Sequence, residues 1–413
     1  GKTAFWERVA LRLQGDGHEI AWLVQNPVFT PSAFAHSDRM RVLPFPRRAR
    51  ARTGADEDAF VQQLYPSLLT DRGRRYFGAG ASHYAHYAGE IQRCLSETQP
   101  DLVVGESTLF HELITIDCCC ASGVPYVQPV ANRYPRGRFS LFAYDTQHAV
   151  AGSGDSLPEG EARALAERIA SGREVPFYMR VPGPLEKALS RGKWALSRGR
   201  VWWGRLRGER YNTPSLWRKV SLERQVRANL RGWRRLERVP AIPTRTLLYP
   251  LQLQPEANID VWGRPYSDQV TIIRDLLAIA PRDVEVAVKA NPKAKYELSD
   301  ELLRLAESSP RLCLLPVQMT MPESLARVTG AITVTGTIGF EAVFGKGRCL
   351  SLRHPLIERE FPQFHADSLA KAAHRLLSEP SAGVGNIELG TRLLRHFVAQ
   401  SFAGLVSEPL LHP

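Results

Sequence analysis

Thr246-Leu-Leu-Tyr-Pro-Leu251, Val284-Glu-Val-Ala-Val-Lys289 and Ala331-Ile-Thr-Val-Thr335 are three apolar runs, each followed at once by a polar loop. The loops are Gln252-Leu-Gln254-Pro-Glu256, Ala290-Asn291-Pro292 and Gly336-Thr337-Ile-Gly339-Phe-Glu341-Ala. Short runs rich in Val, Ile and Leu read as buried strands. Helical spacing near 267–280, 299–308, 322–328 and 338–346 separates these runs and two further ones near 312–316 and 348–352. Strands alternating with helices form a parallel sheet, whose ligands bind beyond the carboxyl ends of the strands. Three polar loops at three such ends predict one composite site for a phosphorylated, nucleotide-linked ligand.

The rest of the chain extends the α/β pattern. Residues 5–13 have helical spacing, Gly15-Asp-Gly-His18 is a turn, and Glu19-Ile-Ala-Trp-Leu-Val24 is a strand. That is half of a βαβ unit, so a strand ahead of Gly1 is expected. Asp101-Leu-Val-Val-Gly105 is a second strand, leading through Glu106-Ser-Thr into a helix to about Ala121, and Gly123-Val-Pro-Tyr-Val-Gln-Pro129 turns into a third. Residues 45–57 and 151–160 read as loops, and helical spacing over 365–377 and 388–402 closes the chain. The expected units are an N-terminal Rossmann-like domain over 1–175, a basic helical segment over 176–240, a C-terminal Rossmann-like domain over 241–385 and a terminal helix over 386–413.

A hydrophobic share of 44% and a mean hydropathy of −0.24 suit a globular protein large enough for two cores. There is no apolar run of about 18 residues, so no spanning helix is expected, and no secretory signal is visible. Cys94, Cys118, Cys119, Cys120, Cys313 and Cys349 lack CxxC spacing and read as small buried side chains in a reducing compartment, hence a cytoplasmic location.

The net charge of +12 is local: residues 180–238 hold 17 Lys/Arg against 4 Glu, leaving 37 basic and 38 acidic residues elsewhere. The same segment contains Trp194, Trp202, Trp203, Trp217 and Trp233. Three readings are open. Arginines with stacking aromatics suit nucleic acid. Arg/Lys with interfacial Trp suit an anionic membrane surface. A helical insertion with core tryptophans and a solvated basic face needs no partner. Charge runs alone rarely mark function, so nucleic acid ranks last of the three.

At the three loops the chemistry is that of phosphate and sugar. The segment from Thr335 to Glu341 opens a helix, whose free N–H groups and positive dipole end attract phosphate. Gly336 and Gly339 let a backbone approach closely, Thr335 and Thr337 offer hydroxyls, and Glu341 can accept from ribose. The bland alternative is an ordinary helix start. Lys289 and Asn291 can donate to phosphate, while Gln252, Gln254 and Glu256 suit sugar hydroxyls; a solvated lysine and a polar loop are the alternatives.

Taken in order, Tyr249-Pro-Leu-Gln-Leu-Gln-Pro-Glu-Ala-Asn258, Tyr266-Ser-Asp-Gln269, Val288-Lys-Ala-Asn-Pro292 and Val334-Thr-Gly-Thr-Ile-Gly-Phe-Glu-Ala342 resemble the bacterial capsule and surface-polysaccharide biosynthesis proteins. These are GT-B glycosyltransferases related to the capsule Kdo transferases. The family pattern is roughly P-L-H-x-Q-P-E, D-Q, V-K-x-H-P and S-G-T-x-G-x-E-A. Gly105-Glu106-Ser107 and Asn132-Arg-Tyr-Pro-Arg-Gly-Arg138 resemble its acceptor-side loops more weakly. Two histidines of the pattern are Gln252 and Asn291 here, which keep hydrogen bonding and lose a titratable ring.

The resemblance implies a GT-B-like fold, two Rossmann-type domains with parallel sheets facing a central cleft. It implies transfer from a nucleotide sugar, CMP-Kdo-like or another, to a surface-polysaccharide or lipid-linked glycan acceptor, and peripheral contact with the inner face of the cytoplasmic membrane through residues 180–238. A carboxylate or histidine from the N-terminal side is needed to activate the acceptor hydroxyl, and Glu106 leads, ahead of His111 and Asp145. An N-terminal helix charge is the plain alternative for Glu106. No metal-ligand spacing is visible, so metal-independent transfer without a cofactor is expected. A CMP-linked polyol-phosphate transferase and a non-catalytic assembly protein on the same fold are the rivals.

Overall fold

A computed structural model of the chain describes residues 2–43, 71, 75, 76, 82–174, 176, 199, 202–206, 209, 214–240, 245–291, 293 and 296–406. The expected loop at 45–57, Trp194 and Pro292 lie outside them.

The C-terminal half is built on strands buried on both faces. β7 (Thr246–Pro250) is buried at every residue, and its side chains alternate between two cores, Leu247 and Tyr249 in one and Leu248 in the other. The same alternation runs through β8 (Glu285–Lys289), β9 (Leu312–Leu314), β10 (Gly330–Thr333) and β11 (Cys349–Ser351), where Val286, Val288, Leu312, Leu314, Ile332 and Leu350 face the first core. Burial on both faces is why these strands read as near-continuous apolar runs. The second face carries the small residues Ala287, Cys313, Ala331 and Cys349. Small residues bring the helices Thr337–Val343 and Ile387–Ala399 close to the sheet. All six cysteines are free; Cys118, Cys119, Cys313 and Cys349 are buried, whereas Cys94 is half-buried and Cys120, expected to be buried, is exposed.

All pairings in this sheet are parallel, in the order β11-β10-β7-β8-β9. Numbered along the chain, that is 3-2-1-4-5 read from the other edge, the doubly wound Rossmann order.

The N-terminal half is also α/β, with a mixed sheet. β1 (Trp22–Val24) pairs in parallel with β2 (Met40–Val42), and β3 (Val103–Val104) in parallel with β4 (Tyr126–Ala131). β5 (Arg138–Ala143) is antiparallel to β4, and β6 (Ala149–Ala151) is antiparallel to β5. The connection between β4 and β5 is too short for a crossover helix, so it must reverse the chain. The last strand, β12 (Phe402–Ala403), adds to β5. The last described strand thus joins the sheet of the N-terminal half, reached along the helix Ile387–Ala399, which packs on the helix Glu159–Ala170.

The basic segment is described over 202–206 and the helix Leu216–Leu236. Ser215 caps that helix by accepting from Arg218 N at 3.1 Å. Its inner face docks on the C-terminal half: Trp233 Nε1 donates to Leu315 O (3.0 Å) and Asn229 Nδ2 to Leu298 O (2.6 Å). Trp233 is therefore core, whereas Trp217 is 86% exposed and Trp203 54%. No described helix is long and apolar enough to cross a membrane.

Candidate functional site at the switch of strand order

In the order 3-2-1-4-5 the connections after β7 and β10 leave toward opposite faces, which opens a crevice between their carboxyl ends. Gln252 and Gln254 leave β7 there, and Thr335 leaves β10. The structure joins them in one buried network. The Thr335 hydroxyl lies 2.8 Å from Gln252 Oε1 and 2.6 Å from the Asn258 carbonyl. Gln269, at the start of the helix Gln269–Ile279, accepts from Gln252 N and donates to Gln252 O, both at 2.8 Å, and donates to Gln254 Oε1 at 3.0 Å. Gln254 Nε2 in turn donates to Asp260 Oδ1 (2.6 Å) and Ser267 O (2.9 Å). Burial pushes the Asp260 carboxyl up to about 6, opposed by the Gln254 bond and by Arg75 at 3.3 Å. The Gln252 amide is buried between the Thr335 hydroxyl and the Tyr249 hydroxyl.

The N-terminal half reaches into the same crevice. Arg133 follows β4, and its Nη2 donates to Thr335 O (2.8 Å) and Asn258 Oδ1 (3.0 Å). Its guanidinium lies 5.1 Å from the centre of the Phe340 ring. His354, one residue from the next helix at Pro355–Glu360, packs on the same Phe340 ring at 4.4 Å. Its Nε2 lies 3.3 Å from Gly336 O and 3.5 Å from Arg133 Nη1. Burial first, then the Arg133 charge, hold the His354 pKa well below the ordinary value. Nε2 thus faces both a carbonyl oxygen and a guanidinium, and the latter's charge opposes protonation of the ring.

Beside this network lies a pocket of about 220 Å³ between the halves, lined by Asp145 and His148 from one side and Trp262, Arg264, Arg353 and Pro355 from the other. Asp145 Oδ2 accepts from Arg264 Nη2 at 2.5 Å. Of the three proposed catalytic residues, Asp145 is the one in this pocket. Glu106 follows β3, half-buried, and its carbonyl accepts from the Tyr126 hydroxyl at 2.6 Å. A Cβ on Gly105 would sit 2.2 Å from that hydroxyl, so the glycine preceding Glu106 makes room for Tyr126. His111 lies in the first turn of the helix Phe110–Ser122, edge-on to Phe110 at 5.4 Å.

The other residues singled out from the sequence divide. Glu256 is exposed and enters the network through its N–H, which donates to Asp260 Oδ2 at 3.0 Å. Thr337 begins the helix Thr337–Val343, half-buried. Glu341, further along that helix, accepts from Lys346 Nζ (3.1 Å) and from the Tyr134 hydroxyl (3.3 Å). The glycines make their close approach to protein: a Cβ on Gly336 would lie 2.4 Å from Thr333 Oγ1, and one on Gly339 would meet His354, Ser351 and Thr333 at 3.4 Å. Lys289 is buried and donates to Ala290 O (3.2 Å) and Val317 O (3.1 Å), so its amine ties β8 to the segment after β9. Asn291 closes a turn by accepting from Lys293 N at 2.8 Å.

Arg133, His354, Asn258 and Asp260 were not picked out as site residues from the sequence. Arg133 and Asn258 stand within quoted motifs, and His354 follows a strand end, which was the available signal.

No protein-family model matches the chain, and no curated protein does. Among solved structures it is similar to a UDP-GlcNAc 2-epimerase from Methanocaldococcus jannaschii, at 13% identity over 82% of this chain and 89% of that one, with a TM-score of 0.29. It is similar to KpsC, a beta Kdo 2,7 transferase of Thermosulfurimonas dismutans, at 12% identity over 75% and 89% of the two chains, with a TM-score of 0.31. It is similar also to a UDP-forming alpha,alpha-trehalose-phosphate synthase of Burkholderia xenovorans, at 12% identity over 98% and 75%, with a TM-score of 0.34. At such distances the likeness adds no weight; the α/β architecture is read from the strand order itself.

Proposed function

We propose that the chain is a metal-independent glycosyltransferase of GT-B type, moving a sugar from a nucleotide-activated donor to a surface-polysaccharide or lipid-linked glycan. The carrying observation is the crevice at the switch of strand order, where Gln252, Gln254 and Thr335 of one half meet Arg133 of the other. In this reading Arg133 and the polar residues Gln252 and Thr335 hold the donor phosphates and sugar oxygens, and Asp145 in the adjoining pocket takes the acceptor proton. A pocket of about 220 Å³ has room for a sugar ring and not for a whole nucleotide sugar, so donor entry parts the halves around Arg133. The order of motifs resembling the capsule transferases suits a nucleotide-sugar donor, CMP-Kdo-like or another, since Gln252 and Asn291 replace the two histidines of the pattern.

The test is a melting-temperature screen of the protein with CMP, UDP and GDP and their sugars, followed by transfer assays with and without a chelator. A shift with one nucleotide family, abolished in Gln252→Leu, supports the proposal; a folded protein indifferent to all three sinks it. The buried Lys289 amine and the protein-filled glycines favour a second reading, a non-catalytic assembly protein. Binding without hydrolysis or transfer would select it. Transfer of a polyol phosphate from a CMP-linked donor would instead select the sister reaction.

A further inference from the structure

The helix Leu216–Leu236 has a second face that no described residue covers. Leu222, Asn229 and Trp233 point into the protein, and at 3.6 residues per turn the opposite side carries Trp217, Val220, Arg224, Arg227, Arg231 and Arg235. All six are exposed, Trp217 at 86%. Among the described residues none of these four arginines forms an ion pair; the one acidic residue of the helix, Glu223, lies 3.9 Å from Lys219 on its flank. A straight row of unpaired guanidinium groups about 17 Å long is a strip of positive charge, with an indole and two aliphatic side chains, Leu216 and Val220, at one end.

We propose that this face docks on an anionic lipid bilayer, the arginines on the headgroups and Trp217 in the interfacial layer. The pairing of charges fits: anionic leaflets attract arginines strung along a surface helix, and tryptophan settles at the headgroup level. Single-stranded nucleic acid is served by a groove with several interleaved aromatics. Here the face is a convex helix with one aromatic at its end, and Leu216 and Val220 have no use against bases. The surface is independent of the reaction proposed above, since none of its residues lines the crevice.

The test uses the whole chain with vesicles of phosphatidylglycerol or of phosphatidylcholine, read by flotation. Binding to the first and not the second is expected, falling as salt rises. In the variant R224Q/R227Q/R231Q/R235Q binding weakens by about fivefold per arginine removed, and in Trp217→Ser it weakens at unchanged salt dependence. Both variants alter exposed positions, and melting temperatures equal to wild type certify their folds. Flotation of the quadruple variant equal to wild type overturns the proposal. So does absence of wild-type flotation, including the case where the protein instead retains a single-stranded oligonucleotide.

Discussion

Arg133 Nη2 donates to the carbonyl of Thr335 at 2.8 Å, so a residue of the N-terminal half is hydrogen-bonded to the switch-point loop of the C-terminal sheet. The same nitrogen reaches Asn258 Oδ1, and the guanidinium covers Phe340. One side chain therefore ties the two halves together at the switch point and lends positive charge to the crevice.

Arg133→Ala is expected to cost about 2 kcal/mol of stability, two hydrogen bonds and a cation–π contact being lost from a half-buried position. Arg133→Lys restores charge without the fork that spans Asn258 and Thr335. Urea midpoints should rank wild type above Lys above Ala, and nucleotide affinity should follow the same order. Equal affinity in all three would remove Arg133 from the donor site.

Gln269 is the keystone of the buried network, since its amide satisfies both backbone groups of Gln252 and the side chain of Gln254. Gln269→Leu leaves Gln252 N and O and Gln254 Oε1 unpaired, at a cost of about 3 kcal/mol. Gln269→Glu keeps the acceptor and loses the donor, so it should be intermediate near neutral pH. The measurement is equilibrium unfolding, and a Leu variant as stable as wild type would contradict the network.

His354 makes stability depend on pH. Its folded pKa is depressed by burial and by Arg133, while in the unfolded chain it titrates near the ordinary value of about 6.5. Below that pH the unfolded state takes up the proton and the native state does not. Stability is therefore full above about pH 7 and falls by up to about 1.4 kcal/mol per pH unit below it. His354→Gln cannot titrate, and its unfolding free energy should be flatter between about pH 7.5 and 5.5, roughly one unit either side of the ordinary value. Parallel pH curves for the two proteins would refute the assignment.

What the sequence disclosed follows from how each part is built. The C-terminal strands were legible because burial on both faces writes continuous apolar runs, and Gln252, Gln254 and Thr335 because they stand at strand ends. β5, β6 and β12 were not, since edge and antiparallel strands such as the two-residue Phe402–Ala403 leave no periodic signal. Arg133 and His354 come from distant parts of the chain and meet only through the packing of the halves. For Lys289 the period of two held the answer: it shares a face with Ala287, the small-residue face under the helices, so its amine turns to buried carbonyls.

That placement gives Lys289 a prediction opposite to its reading as a phosphate ligand. Its amine is buried, with its pKa lowered by burial, and serves Ala290 O and Val317 O. Lys289→Met keeps the length of the side chain and removes both bonds together with a buried amine. Two unmet carbonyls cost, and relief from burying the amine offsets part of that, for a net loss of about 1–2 kcal/mol. Nucleotide affinity is expected to stay within about twofold, because the amine is buried and turned to those two carbonyls, away from the crevice network. Isothermal titration with the nucleotide that shifts the melting temperature decides the matter. A loss of affinity of tenfold or more in a variant that still unfolds cooperatively would return the amine to the donor site.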